Sequence, residues 1–203
     1  MITKNKDYMK KTLAIVAIII VVMVAWAVSA YNGLVAEQQK VESSWAQVEN
    51  VYQRRADLIP NLVATVKGYA KHEKETLEGV VQARANATSV KIDANNLDEA
   101  SLKKFQDAQG ELGSALSKLL AIKESYPDLK ANENFKELQA QLEGTENRIT
   151  VERRNFNEVA QSYNTKVRQF PTNIFAGIFG FSTKPYFQSQ AGADKAPTVS
   201  FDE

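Results

Sequence analysis

Two interleaved series of mostly apolar residues, each with members seven positions apart, run between residues 34 and 80 and constrain the fold more than any other feature. Together the series alternate by three and four residues, the spacing that places side chains on one face of an α-helix. A strand alternates with period two and cannot produce this pattern. The stretch therefore predicts a long amphipathic helix with a narrow, coiled-coil-like apolar seam. The members are Leu34, Val41, Val48, Arg55, Leu62 and Tyr69 in one series, and Gln38, Trp45, Tyr52, Ile59, Val66, Glu73 and Val80 in the other.

Charged residues and a proline interrupt this seam. Arg55 occupies a seam position, with Arg54 and Asp57 beside it and Pro60 following. Proline removes one backbone hydrogen bond and clashes with the carbonyl four residues earlier, so we expect a kink near Ala56 and a freed carbonyl that an arginine can cap. We interpret the charged residues as an ion-pair cluster that fixes helix register, with anion binding or catalysis as the alternatives.

Three blocks of the sequence carry a family resemblance. They are YNGLV at residues 31–35, QRRADLIPNLVATVKGYAKHEKETLEGVVQARA at residues 53–85, and ENRITVERRNFNEVAQSYNTKVRQFPTNIFAGIFGF at residues 146–181. In content and order these blocks resemble the LemA family of bacterial membrane proteins. The resemblance implies a single membrane anchor, an all-α helical bundle and a family without an established enzymatic activity. It implies no catalytic residue.

An uncharged apolar run of 18 residues, 13–30, precedes the first block. At about 1.5 Å per residue it covers roughly 27 Å, near the hydrocarbon thickness of a bilayer. Trp26 and Tyr31 lie near its end, where interfacial aromatic residues are typical. A cleaved signal peptide is the alternative, because Val28-Ser29-Ala30 satisfies the small-residue rule for cleavage. The run exceeds the apolar core of most signal peptides, so we favour an uncleaved transmembrane helix.

The lysines predict the orientation of this helix. Residues 1–12 carry Lys4, Lys6, Lys10 and Lys11. Beyond the apolar run the first basic residue is Lys40, and positive residues stay on the cytoplasmic side. We therefore expect a single-pass protein of the bacterial inner membrane with a cytoplasmic N-terminus and a periplasmic or otherwise extracytoplasmic bundle.

The bundle is predicted to occupy residues 31–170. No proline separates the apolar run from the first block, so anchor and bundle should share one continuous helix of about 90 Å. If that helix ends near Tyr69, it matches in length a helix at 132–170, capped by Asn132 or Asn134. Shorter helices at 73–90 and 99–125, the latter capped by Asp98, complete an up-and-down antiparallel bundle of four helices. The alternative is one helix continuing to Ala85, which leaves three long helices.

The antiparallel alignment also predicts contacts. In two antiparallel helices of equal length, residue 31 of the first lies opposite residue 170 of the second. The residue numbers of any two opposite residues then add up to about 201. Arg55 then lies opposite Glu146, and Arg148 lies within a turn of Asp57. Removing one member of such a pair, if buried, would cost about 3–5 kcal/mol.

Residues 171–187 form a short apolar segment, PTNIFAGIFGFSTKPYF. A bundle of four helices brings this segment back to the bilayer, whereas three helices would leave it at the distal tip. We expect contact with the membrane or a partner, with a cap on the bundle's own end as the alternative. Residues 188–203 are predicted to be a disordered tail. The contact residues are Ile174, Phe175, Ile178, Phe179, Phe181, Tyr186 and Phe187.

Composition removes several function classes. Lysine plus arginine is 25 against 24 for aspartate plus glutamate, which argues against nucleic-acid binding. The chain has no cysteine and a single histidine, His72, and lacks a glycine-rich phosphate loop. We identify no catalytic, cofactor or metal residue. The chain is predicted to be a non-enzymatic, membrane-anchored scaffold of the cell envelope. Its predicted partners are membrane lipid, further copies of itself and an envelope protein. The alternative is a ligand-binding or enzymatic domain at Arg54, Arg55 and Asp57.

Overall fold

The computed structural model describes residues 2–188, with side chains from residue 9 onward. Helix α1, Ile2–Tyr69, is 68 residues long and therefore extends about 100 Å. It runs without interruption through the end of the apolar run, so the prediction of one rod is confirmed. Within the described part of the chain, α1 is the one helix long and apolar enough to cross a membrane. The large apolar side chains between Leu13 and Val28 are exposed in the isolated chain.

Three further long helices complete an up-and-down bundle. They are α2, Lys74–Ser89, α3, Glu99–Ala121, and α5, Glu133–Arg168. The all-α bundle of four helices is confirmed. Asp98 accepts from the Ser101 amide in a capping box at the start of α3, and Asn132 accepts from the Phe135 amide at the start of α5. Both caps satisfy amides that have no partner within their helix.

Two short helices were not predicted. Helix α4, Pro127–Ala131, closes the distal end, where the Asn132 amide donates to the Tyr69 hydroxyl over 2.9 Å. Helix α6, Thr172–Phe179, ends at Gly180, whose φ of 78° suits a residue without a Cβ. Helix α2 ends at Ser89, one residue before the predicted end of that helix, and single 3-10 turns follow at Ala94–Asn96 and Ile122–Ser125.

The buried side chains form two cores along α1. The proximal core lies nearer the apolar run, and the distal core lies beyond Arg55. The proximal core is rich in aromatic residues, whereas the distal core is mostly aliphatic. The proximal core contains Leu34, Val41, Trp45, Val48, Tyr52, Leu97, Leu102, Phe105, Ile149, Phe156, Ala160, Tyr163, Val167, Ala176 and Phe187. The distal core contains Ile59, Leu62, Val66, Ala70, Leu77, Val80, Ala83, Ala87, Leu112, Leu116, Leu119, Ile122, Leu129, Phe135 and Leu142.

Residues 181–188, which we call the strap, have no helical structure and run along α5. The strap is anchored at Lys184, Phe187 and Gln188 by side chains of α5. The predicted apolar segment 171–187 therefore consists of two parts, α6 and most of the strap. The predicted tail, 188–203, lies outside the described residues except for Gln188.

Candidate functional site

The polar cluster centres on Arg55, which is buried where the two cores meet. Its Nη1 donates to Glu146 Oε2 over 3.0 Å, and its Nη2 donates to the backbone carbonyl and the side-chain oxygen of Gln109. The guanidinium also lies 5.1 Å from the centre of the Tyr52 ring, a cation–π distance. Arg55 thus joins α1 to α3 and α5 at one level of the bundle.

Only part of the predicted cluster comes together. Arg55 and Glu146 meet, but Arg54, Asp57 and Arg148 are exposed. Asp57 accepts from Gln53, and it makes no ion pair with Arg148 in the part of the chain that the structure describes. The charged residues next to Arg55 point away because neighbours on a helix are about 100° apart. The cluster also contains Gln109, a buried polar residue on the apolar face of α3, which was not predicted.

The Pro60 position has a partner that the sequence did not reveal. Proline leaves the Ala56 carbonyl without its helical donor. Arg84 of α2 donates its Nε–H to that carbonyl over 2.7 Å. The freed carbonyl does accept a hydrogen bond from an arginine, but the donor is Arg84 rather than Arg55. The bond joins α2 to α1. Helix α1 continues through Pro60, and the kink stays a prediction.

A cleft of about 350 Å³ lies beside the Arg55 cluster, between α1, α3 and the loop after α2. Tyr52 and Gln109 line it, and burial raises the pKa of the Tyr52 phenol. Both Nη atoms of Arg55 donate inward, toward Gln109 and Glu146, whereas its Nε is buried and has no hydrogen-bond partner among the described residues. No group of three histidine, aspartate or glutamate side chains that could hold a metal occurs within residues 9–188.

A second ion-pair site lies closer to the apolar run. Glu37, 5% exposed, accepts from Lys166 of α5 and from Lys40, both over 2.9 Å. Hydrogen bonds from Lys166, then from Lys40, lower the pKa of the Glu37 carboxyl. The contact with Lys166 joins the start of the bundle part of α1 to the end of α5.

The same end of the bundle presents an exposed apolar surface, which we call the apolar platform: Phe170, Ile174, Ile178 and Phe179. Helix α6 carries most of it and packs against α1 through ring contacts. Phe175 meets Trp26 edge to face at 4.9 Å, and Phe179 meets Tyr31 at 5.0 Å. Ile178 is 69% exposed and Phe170 is 75% exposed. The platform therefore lies beside the end of the apolar run.

The seven predicted contact residues divide between two places. Ile174, Ile178 and Phe179 belong to the platform, with Phe175 and Phe181 beneath it against Trp26 and Tyr31. Phe187 was wrongly assigned: it is 6% exposed and stacks on Trp45, about 21 Å beyond Tyr31 along α1. Tyr186 belongs to the strap, where its hydroxyl accepts from Asn164. Phe170, at the end of the predicted 132–170 helix, was not predicted as a contact residue, although it is 75% exposed.

Comparison with known proteins identifies relatives that match most of this chain. The profile of the LemA family matches residues 44–201. Magnetosome protein MamQ of Magnetospirillum gryphiswaldense is 27% identical over 199 residues, covering 90% of this chain and 73% of the relative. Magnetosome protein MamQ 1 of Paramagnetospirillum magneticum is 27% identical over 192 residues, with coverage of 86% and 71%. Protein LemA of Metamycoplasma hominis is 25% identical over 158 residues, with coverage of 78% and 68%.

The matched region includes the distal core, the Arg55 cluster, the apolar platform and the proximal core apart from Leu34 and Val41. The predicted family resemblance is confirmed. An all-helical bundle that continues from one long apolar helix, together with a profile match over most of the chain, shows that this protein is a member of the LemA family.

Proposed function

We propose that this protein is a non-enzymatic scaffold of the bacterial cell envelope, anchored in the inner membrane by α1 and touching the bilayer a second time through α6. The observation that carries the proposal is the apolar platform beside Trp26 and Tyr31. Four exposed apolar side chains gather at the end of the apolar run. Burying them in the lipid interface would contribute about 6–12 kcal/mol before ordering costs, at about 1.5–3 kcal/mol each.

The transmembrane part of α1 and the apolar platform would together hold the bundle upright on the membrane. A single flexible anchor lets a domain tilt, whereas α1 is continuous and α6 braces it from one side. Arg168, exposed at the end of α5, is available to anionic lipid headgroups at the same end. The lysines before the apolar run support a cytoplasmic N-terminus and a bundle outside the cytoplasm. The bundle surface would then be presented to further copies or to an envelope protein.

A ligand-binding or enzymatic site at the Arg55 cluster has less support. Arg55 uses both Nη atoms on Gln109 and Glu146, and Arg54 and Asp57 do not face it. The names of the relatives specify no reaction.

The bilayer contact can be tested in the full-length protein because the chain has no cysteine. We would place a single environment-sensitive fluorophore at Ile178→Cys in proteoliposomes that contain shallow lipid quenchers. Val151→Cys, 42% exposed in the middle of α5, is the matched control. We expect quenching at residue 178 and none at residue 151.

Equal quenching at both positions, or none at 178, would refute lipid contact by α6. A probe at 178 that is shielded from water but not quenched by lipid would place the platform against protein. Labelling of Val151→Cys in intact cells by an impermeant maleimide tests the proposed orientation, and labelling only after lysis would contradict it.

A further inference from the structure

An open groove lies between α1 and α2 at the distal end of the bundle, and we call it the distal groove. Its volume is about 640 Å³. It extends about 12 Å along α2, from Lys74 to Gln82. Its middle lies about 55 Å beyond residue 30 along α1, so the bilayer around the apolar run does not reach it. The lining residues are Val63, Lys67, Lys71, Lys74, Leu77, Glu78, Val81 and Gln82.

The charged and apolar side chains of the distal groove are concentrated at different ends. Lys71 lies in the turn between α1 and α2, Lys74 begins α2, and Lys67 lies one helical turn earlier on α1. Away from this turn the floor is apolar. Leu77 is 7% exposed, and Val81, one turn further along α2, is 53% exposed. The groove therefore has a cationic end at the turn and an apolar end toward the middle of α2.

The cationic end carries more positive charge than its own side chains neutralise. Lys74 approaches Glu78 at 3.7 Å, and both side chains are largely exposed. Lys67 and Lys71 form no ion pair with any residue that the structure describes. Three lysines and one glutamate line the groove, so its charge is complementary to an anionic group.

The beginning of α2 adds to this positive charge. Glu73 precedes the helix, but its carboxylate accepts from the Tyr126 hydroxyl over 3.2 Å and makes no cap on the first amides of α2. The positive end of the helix dipole therefore lies at the same end of the groove as the lysines. Both features favour a negative charge there.

The dimensions of the distal groove favour a small ligand over a protein. Stable protein interfaces bury about 1,000 Å² or more, which a groove of about two helical turns does not supply. Its volume falls within the range of about 300–1,000 Å³ that is typical of small-molecule sites. A ligand that satisfies both ends needs a negative head and an apolar tail.

We propose that the distal groove is a binding site for a single-chain anionic amphiphile, the chemical class of a fatty acid. The carboxylate lies among the three lysines, and the alkyl chain covers Leu77 and Val81. The site goes beyond the membrane scaffold proposed above and does not depend on lipid contact by α6.

Binding can be measured on the full-length protein in lipid nanodiscs. A fluorophore at Gln82→Cys, in the groove lining, reports on a fatty acid that carries a nitroxide quencher on its alkyl chain. Ala140→Cys, exposed on α5 in the same half of the bundle, is the matched control position. Nitroxide dissolved in the bilayer quenches neither fluorophore, because both positions are far from the apolar run.

We expect saturable quenching at the groove position and none at the control position. Unlabelled dodecanoate should displace the nitroxide probe. Acetate, which has the charge without the chain, and dodecanol, which has the chain without the charge, should not displace it. This pattern requires both ends of the groove.

Substitutions test the two ends separately. Lys67→Gln with Lys71→Gln should weaken the apparent affinity severalfold, and Val81→Ser should weaken it too. Lys104→Gln with Lys118→Gln, both exposed on α3, makes the same change in net charge and should leave the affinity unchanged. All five positions are exposed, so the fold should tolerate each change.

The site would be overturned by equal quenching at the two labelled positions, or by an affinity that is unchanged in the variant of Lys67 and Lys71. Displacement by dodecanol as effective as that by dodecanoate would show an apolar patch without anion recognition. Displacement by acetate alone would show an adventitious anion site. Quenching at residue 178 by shallow lipid is a separate measurement, so the failure of either proposal leaves the other open to test.

Discussion

The proximal and distal halves of the bundle share α1 and α5 but complete their cores in different ways. The distal half adds the α2–α3 hairpin, so that four helices surround an aliphatic core. The proximal half adds the first turns of α3, the loop before them, α6 and the strap, which close an aromatic core around Trp45. A helical hairpin forms from neighbouring residues, whereas the strap reaches Trp45 from more than a hundred residues away.

This difference separates two tasks within one rod. The distal half is a bundle in which α1, α2, α3 and α5 surround one core. The proximal half is closed by the strap, a segment distant in sequence, and it lies next to the apolar platform. We infer that the proximal half supports the proposed contact with lipid, while the distal half supports the fold. The Arg55 cluster marks the boundary.

The largest effect should come from Trp45→Ala in the proximal core. Trp45 is 2% exposed and contacts Phe105, Phe156 and Phe187, so truncation should lower the free energy of unfolding by about 3–5 kcal/mol. Hydrogen exchange should lose protection mainly between residues 34 and 52. Urea unfolding and exchange mass spectrometry in detergent micelles would measure both.

Leu119→Ala is the matched change in the distal core, since Leu119 is fully buried there. We expect the free energy of unfolding to fall by about 2–5 kcal/mol. Hydrogen exchange should lose protection mainly in the distal half instead of between residues 34 and 52. If both variants lose protection uniformly along the bundle, the two halves form one cooperative unit, and the comparison fails.

A smaller effect is expected at the boundary. Arg55→Leu strands the buried Gln109 side chain, at a cost of about 1–3 kcal/mol. The estimate of about 3–5 kcal/mol for a buried pair does not apply, because the Glu146 side chain is 58% exposed and can return to water. Thermal unfolding of Arg55→Leu against Arg54→Leu, an exposed neighbour, tests this. Equal melting temperatures would show that the cluster contributes nothing.

The contact between Arg84 and the Ala56 carbonyl should stabilise the distal half, because it joins α2 to α1. Arg84→Ala should lower the free energy of unfolding by about 1 kcal/mol. Pro60→Ala supplies a backbone amide that can donate to the same carbonyl. In a double-mutant cycle, Arg84→Ala should therefore cost less in the Pro60→Ala background. A cost that is the same in both backgrounds would mean that Arg84 acts by packing alone.

The smallest effect should appear at the proximal end as a pH dependence. The pKa of Glu37 is lowered from its ordinary value of 4.5, so its stabilising effect is present above that value and is lost as pH falls through the lower, folded-state pKa. Glu37→Gln should flatten the acid part of the stability profile below pH 4.5. Glu111→Gln, exposed on α3, is the control. An unchanged profile in Glu37→Gln would contradict the assignment.

Much of the helical framework was predictable because it is encoded locally. The heptad seam marks the buried face of α1, and the break after Tyr69, the caps at Asp98 and Asn132, and the apolar run set where elements begin and end. Helices of matched length then leave few antiparallel arrangements. The facing-residue rule also names Glu146 as the neighbour of Arg55, since two aligned helices keep a constant sum.

Tertiary structure alone decided which segments complete each core and which polar groups meet. The strap has no periodicity that would indicate a partner, so the position of Phe187 beside Trp45 follows from packing. Gln109 and Arg84 lie 54 and 28 residues from the groups they contact, and nothing in the local sequence pairs them. Periodicity shows which side of a helix is buried, but the choice among buried neighbours depends on shape and on satisfying hydrogen bonds across elements, which a single sequence does not display.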